Sequence, residues 1–256
     1  MTDAMDLAFE ERGSGPVLLF VHGFPLNRTM WIPQLAGLAK LRTCVSVDLR
    51  GHGLSEDKDP SDYSMDLFAD DVARTLDGLK ADQVDLCGLS MGGYVVFAML
   101  RRHPDRVRSL IFCDTKAEAD SPEAKEGRDK TAAAVREKGM EALIEGLLPK
   151  LVAPGCSDTV KASIRDMFLT VPPEVAVADL IAMRDRPDTT EQLGSISVPT
   201  LWIHGEDDQI MPIEGARATA EKIPGARFEA IPKAGHMAPL ENPEPVNAAI
   251  AAFLKG

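Results

Sequence analysis

What most constrains the fold is an alternation of short apolar runs with stretches of helical periodicity. Residues 17–21, 43–48, 84–88, 107–114, 200–204 and 227–231 are runs of 5 to 8 residues, mostly β-branched or otherwise apolar. Strands covered on both faces have this composition. Between them, residues 30–40, 65–80, 91–103, 213–223 and 243–254 read as helices. In the second of these, Phe68, Val72, Leu76 and Leu79 share one face, and Ser64 stands where an N-cap is expected. Asn242 followed by Pro243 marks another helix start. Strand and helix in turn imply an α/β fold, a mainly parallel sheet flanked by helices on both faces.

The alternation breaks once. Residues 116–193 hold no convincing strand, are rich in Ala, Glu, Lys and Met, and are interrupted by Pro122, Pro149, Pro154, Pro172, Pro173 and Pro187. That length is out of scale for a structureless connection in a compact unit, so a helical cap is expected there. The expected organisation is a core of residues 1–115 and 194–256, with the cap at 116–193 inserted into it.

A formal net charge of −12, from 28 basic and 40 acidic residues, repels phosphate backbones and anionic lipid surfaces. Neither nucleic acid nor membrane is expected as a partner. No run approaches the roughly 18 apolar residues of a membrane span, and residues 1–10 lack the basic start and apolar stretch of an export signal. A cytoplasmic protein is expected. Cys44, Cys87, Cys113 and Cys156 are far apart with no C-x-x-C spacing, and read as reduced core thiols. The chain has no G-x-G-x-x-G and no H-E-x-x-H, so no nicotinamide cofactor and no zinc are implied.

The chemistry starts at Gly88-Leu89-Ser90-Met91-Gly92-Gly93, between a strand-like run and a helical one. This is the G-x-S-x-G nucleophile turn in its strand-to-helix setting. The turn is so tight that the positions two before and two after the serine tolerate almost no side chain, and glycine occupies both. Ser90 then projects at the sheet's C-terminal edge, beside helix N–H groups that favour a developing anion; the N–H of Met91 is one oxyanion donor. A serine hydroxyl needs a base, and the base needs a partner that fixes its tautomer. In chain order an acid and then a histidine should follow. Glu206-Asp207-Asp208 follows one strand and Gly235-His236 follows the next. His22, His52, His103 and His204 lack that position, and His204 reads as a strand-end histidine satisfied within the core.

Taken together these motifs resemble the α/β-hydrolase superfamily, and within it small carboxylesterases, 3-oxoadipate enol-lactonases and cofactor-free haloperoxidases. The resemblance spans nearly the whole chain. It implies that the catalytic acid is Asp208, which stands four residues before Pro212 in a G-x-x-D-x-x-x-P loop, and that Asp207 is a bystander. It also implies that His22-Gly23-Phe24-Pro25 is the oxyanion loop, with the Phe24 N–H as the second donor. Asp48-Leu49-Arg50-Gly51-His52-Gly53-Leu54-Ser55 is similar to a D-x-R-G-x-G-x-S loop of the superfamily and is expected to be structural, with Asp48 and Arg50 anchoring neighbouring loops.

Haloalkane dehalogenases and epoxide hydrolases of this fold carry an aspartate at the turn, so Ser90 argues against both. The expected function is a serine hydrolase that cleaves small carboxylic esters through an acyl-enzyme. Alternatives are an enol-lactonase or carbon–carbon hydrolase using the same triad, or a slow-turnover ligand receptor. The expected partner is a small-molecule ester or lactone, with Leu26, Met211 and Met237 as candidate substrate-binding residues flanking an adaptable apolar pocket. Oligomeric state is not legible in the residues.

Overall fold

The computed structural model describes residues 3–57 and 59–256. Strands β2 (Val17–Val21), β3 (Thr43–Val47), β4 (Val84–Leu89), β5 (Val107–Cys113), β6 (Thr200–Gly205) and β7 (Arg227–Ile231) fall on the apolar runs and pair in parallel. A further strand, β1 (Phe9–Arg12), pairs antiparallel with β3, giving a seven-stranded sheet in the order β1-β3-β2-β4-β5-β6-β7. β1 was not among the expected strands. Its Phe-Glu-Glu-Arg is a polar edge, mostly exposed, and so lacks the apolar signature of the central strands.

Helix α1 (Ile32–Leu38) starts later than its periodicity suggests, because Arg28–Trp31 form a 3-10 turn capped by Asn27, whose side chain accepts from the Thr29 N–H at 3.0 Å. α2 (Met65–Gly78) is capped by Ser64, which accepts from the Leu67 N–H at 3.1 Å. α3 (Met91–Arg102) follows β4 directly. The chain moves from β2 to β3 in one direction along the sheet and from β3 to β4 in the other. Right-handed crossovers therefore put α1 on one face and α2 with α3 on the opposite one. Aromatic pairs fill both layers, Phe20 against Trp31 at 4.9 Å and Phe112 between Phe97 and Trp202 at 4.4 and 4.9 Å.

That reversal of direction has a functional consequence. β2 and β4 are neighbours in register, Val21 opposite Gly88, yet their following connections depart to opposite sides. A crevice opens at the carboxyl ends of strands at such a switch point, and the segments that leave there are His22-Gly23-Phe24 and Ser90.

Between β5 and β6 the chain forms α4 (Pro122–Lys138), α5 (Glu141–Gly146), α6 (Leu148–Leu151), α7 (Asp158–Leu169) and α8 (Pro173–Arg184). Ser121 and Ser157 cap the first and fourth of these through the N–H groups of Ala124 and Val160. α4 and α8 pack along each other, with Val135 of α4 and Val175 and Met183 of α8 buried, while α7 buries Ile164 and Phe168. After β6 come α9 (Ile213–Ala220), then β7, α10 (Ala238–Glu241) and α11 (Pro243–Phe253). α11 starts at Pro243, but the Asn242 side chain does not cap it; it donates to the Pro232 carbonyl at 3.0 Å. Among the described residues no helix is long and apolar enough to cross a membrane.

Candidate active site

Ser90 sits at φ 51° and ψ −113°, a left-handed conformation that a side-chain-bearing residue adopts only where its surroundings impose it. Four hydrogen bonds hold the turn. The Ser90 N–H donates to Cys113 O at 3.0 Å, and the Ser90 carbonyl accepts from the N–H groups of Gly93 and Tyr94 and from Thr115 Oγ1 at 2.9, 3.3 and 2.8 Å. A Cβ at Gly88 would strike the Gly92 backbone, and one at Gly92 would strike the backbone of Val21 and His22. Both glycines of the motif are thus required sterically.

The loop after β6 brings Asp208, and not Asp207, to the histidine. His236 Nδ1 lies 2.8 Å from Asp208 Oδ2, and both side chains are buried. Asp207 is exposed and contributes its N–H to Ala234 O at 2.9 Å, which ties the acid loop to the histidine loop. The second oxygen of Asp208 accepts from the N–H groups of Ile210 and Met211 at 2.8 and 3.0 Å. Burial raises the pKa of Asp208, but the charge and hydrogen bond of His236, with those from His204 and Met211, outweigh it and hold the carboxyl well below the usual range.

His204 does more than the expected strand-end histidine. Its Nε2 lies 2.7 Å from Met211 O and 3.2 Å from Asp208 Oδ2, so Asp208 faces two imidazoles. Behind it, Asp114 is fully buried, accepts from the Gly205 N–H at 2.7 Å, and has its pKa pushed well above the usual range by burial. Donor atoms of Asp114, His204 and Asp208 fall within 4.8 Å of one another, the one group of described residues close enough to hold a metal ion. Asp208 already spends both oxygens on imidazoles and backbone N–H groups, while Asp114 Oδ2 and His204 Nδ1 are buried without a hydrogen-bond partner among the described residues. Within the cluster, only the His204–Asp208 contact therefore bears directly on the carboxylate that faces His236.

Glu241, which sequence reasoning passed over, supports the other partner. Its carboxylate accepts from Gly235 N–H at 2.9 Å, Met237 N–H at 3.3 Å and Ala153 N–H at 2.7 Å. It thereby brackets His236 on both sides and ties it to the turn after α6. The glycine at 235 is needed here as well, because a Cβ there would meet the backbone of Val152 and Ala153.

Ser90 and His236 line one cavity of about 680 Å³, together with Phe24, Ile210 and Met211 from the sheet loops and Leu143, Leu147, Leu151, Leu180 and Met183 from the helices above. Of the three expected substrate-binding residues, only Met211 lines it. Leu26 and Met237 are fully buried in the core, where their apolar character serves packing. Phe24 lies on the cavity wall, and Gly23 approaches the turn so closely that a Cβ would meet Leu89 and Ser90.

The remaining motif residues hold loops in place. Asp48 accepts from the Arg28 and Leu54 N–H groups at 2.7 and 2.9 Å, and Arg50 pairs with Asp71 and Asp57. His52 lies 3.1 Å from the buried Asp179 of α8 and 4.8 Å ring to ring from His22, whose Nε2 accepts from the Leu49 N–H.

The sequence matches the model of the alpha/beta hydrolase fold over residues 16–243. It is 31% identical over 96% of its length to an AB hydrolase superfamily protein of Bacillus subtilis, spanning 94% of that protein. Its structure is similar to a thermophilic esterase from Thermogutta terrifontis, at 44% identity and a TM-score of 0.93, covering 97% of this chain and 93% of that one. It is also similar to the enol-lactonase of Burkholderia xenovorans, at 30% identity and a TM-score of 0.88, covering 98% and 96%. The chain belongs to the α/β-hydrolase family, as a hydrolase of that fold with an esterase and an enol-lactonase among its structural neighbours.

Proposed function

We propose that the chain is a serine hydrolase that cleaves small carboxylic esters through an acyl-enzyme on Ser90. The observation that carries this reading is the pairing of His236 Nδ1 with Asp208 Oδ2 at 2.8 Å, beside a cavity that Ser90 and His236 both line. Asp208 fixes the tautomer in which Nε2 of His236 is free to accept the Ser90 proton. Ser90 Oγ attacks the ester carbonyl, and the tetrahedral oxyanion takes the N–H of Met91, the first of α3, with that of Phe24 as second donor. His236 returns the proton to the departing alcohol. Water, activated by the same base, then releases the acid.

Helices α4 to α8 act in this reading as a cap over the site, with residues 116–193 as their span. The likeness to an enol-lactonase supports lactones as a second substrate shape, since a lactone is a cyclic ester and needs no change of residues. Labelling with a fluorinated alkyl phosphonate followed by peptide mapping tests the assignment. Modification of Ser90, lost in Ser90→Ala along with ester turnover, is expected; modification of another serine would overturn it.

A further inference from the structure

The chain as a whole is acidic, with 40 carboxylates against 28 basic residues, yet the cavity at Ser90 has the opposite balance. Its charged wall residues are Lys116, Arg128, Lys130 and Lys150 against a single carboxylate, Asp120, though Lys130 is exposed and already pairs with Glu126 at 2.7 Å. Asp120 cannot neutralise them. Its side chain is 1% exposed and already contacts three cations: Lys116 Nζ at 3.3 Å, Arg186 at 2.9 Å and Arg128. This cluster therefore carries two positive charges in excess, in a partly desolvated place where opposite charge is strongly attracted.

The cluster is built, not incidental. Arg186 is itself buried, donates to the carbonyls of Met183 and Glu118 at 2.7 and 2.6 Å, and stacks on the Tyr94 ring at 4.0 Å. Its position leaves Lys116 and Arg128 on the cavity side. The carboxylate of Glu118 accepts from Thr219 Oγ1 at 3.3 Å and, among the described residues, forms no ion pair with Lys116, Arg128 or Arg186. Lys116 follows Thr115, whose hydroxyl bonds the Ser90 carbonyl, so the excess charge begins within one residue of a direct contact with the nucleophile turn.

We propose that Lys116 and Arg128, backed by Arg186 through Asp120, form a subsite for a carboxylate carried by the substrate, making short esters or lactones with a free carboxylate the preferred substrates. This rests on the ester-hydrolase reading for the reaction, but the anion site can be measured apart from it. Calorimetry of the wild-type chain with glutarate and with uncharged glutaramide reads the subsite without turnover. Glutarate is expected to bind at least tenfold tighter, on the order of what hydrogen bonds to charged groups contribute, with the preference shrinking at high salt. In Lys116→Met the ratio should fall below about threefold, and Arg128→Met should act in the same direction. In turnover, monomethyl glutarate should exceed methyl butyrate in kcat/KM by a similar ratio, an internal comparison insensitive to how much of a variant folds. Equal binding of the two probes, or a preference that both variants leave intact, overturns the subsite. A glutarate preference in a chain that hydrolyses no ester would retain the subsite and remove the serine-hydrolase reading.

Discussion

His236 Nδ1 and Asp208 Oδ2 lie 2.8 Å apart within the protein, while Asp207, one residue earlier, faces solvent and offers only its backbone to the histidine loop. An asparagine at 208 would keep the shape of the pair but could present its amide to Nδ1, favouring the wrong tautomer. Asp208→Asn is therefore expected to lower kcat by about 10³ to 10⁴, as loss of such an acid does elsewhere. Asp207→Asn should change it less than about threefold, in keeping with an exposed side chain. Steady-state kinetics on one aryl ester compares the two, and equal losses would remove Asp208 from its role.

The carboxylate of Glu241 is shared among three N–H groups flanking His236 and the turn after α6. Burial raises its pKa and those hydrogen bonds oppose the rise. In Glu241→Ala each donor that stays dry costs about 1–3 kcal/mol. Thermal unfolding should shift downward by roughly 2–4 °C for each kcal/mol in a chain of this size. Glu241→Gln, which keeps one oxygen acceptor, should recover part of the stability and of kcat. A Glu241→Ala chain with unchanged melting and unchanged kcat would show that the contacts hold nothing in place.

The fold and the paired site were legible to different degrees, for physical reasons. Strands β2 to β6 are buried on both faces, so their positions appear as apolar runs. The edge strands β1 and β7 are partly exposed, and β1 escapes because its Phe-Glu-Glu-Arg keeps a single apolar residue where β7 keeps Phe228, Ala230 and Ile231. Ser90 and the glycines around it are readable because the turn tolerates so few residues. Glu241 was missed because what it does depends on a partner brought in by the fold, Ala153 being 88 residues away. His204 has its partners Asp208 and Met211 only 4 and 7 residues on, but only the folded loop shows that its ring turns back onto them. Leu26 and Met237 show the converse limit. An apolar side chain beside a catalytic motif looks the same in sequence whether it lines the cavity or fills the core, and only packing separates them.

Asp120 gives the acid side of the stability profile a defined contribution. Burial raises its pKa, yet the hydrogen bond and charge of Arg128 and the charge of Arg186 hold it down to about 2. The ordinary carboxyl titrates near 3.9. A group depressed by folding stabilises the protein fully above its unfolded value, and that stabilisation disappears as pH falls from about 4 to about 2. Asp120→Asn should therefore be less stable at neutral pH, where its cations lose their shared anion, and should lose less further stability across that acid window than the wild type. Melting temperature against pH tests both halves, and parallel curves would show that Asp120 is not depressed by folding.

The cavity also makes a prediction about chain length on neutral p-nitrophenyl esters. Its helical side supplies Leu143, Leu147, Leu151, Leu180 and Met183, apolar like Phe24, Ile210 and Met211 of the sheet loops, while Lys116, Arg128, Lys130 and Lys150 stand elsewhere on the wall. An acyl chain gains roughly 0.8 kcal/mol for each methylene it buries against the apolar side. It loses that gain once the next methylene must displace packed side chains or strip water from a cation. The kcat/KM profile should therefore rise and then break, with its maximum at about two to six carbons. Truncating a wall residue should move the break: Leu147→Ala or Leu151→Ala is expected to favour longer chains. Met167 and Phe168, equally large and also between β5 and β6, are buried away from the cavity. Met167→Ala or Phe168→Ala should lower stability by about 2–5 kcal/mol and leave the position of the break unchanged. A maximum at ten carbons or more would contradict a roofed pocket, and a break moved by Phe168→Ala as far as by Leu147→Ala would mean that the wall has been misidentified.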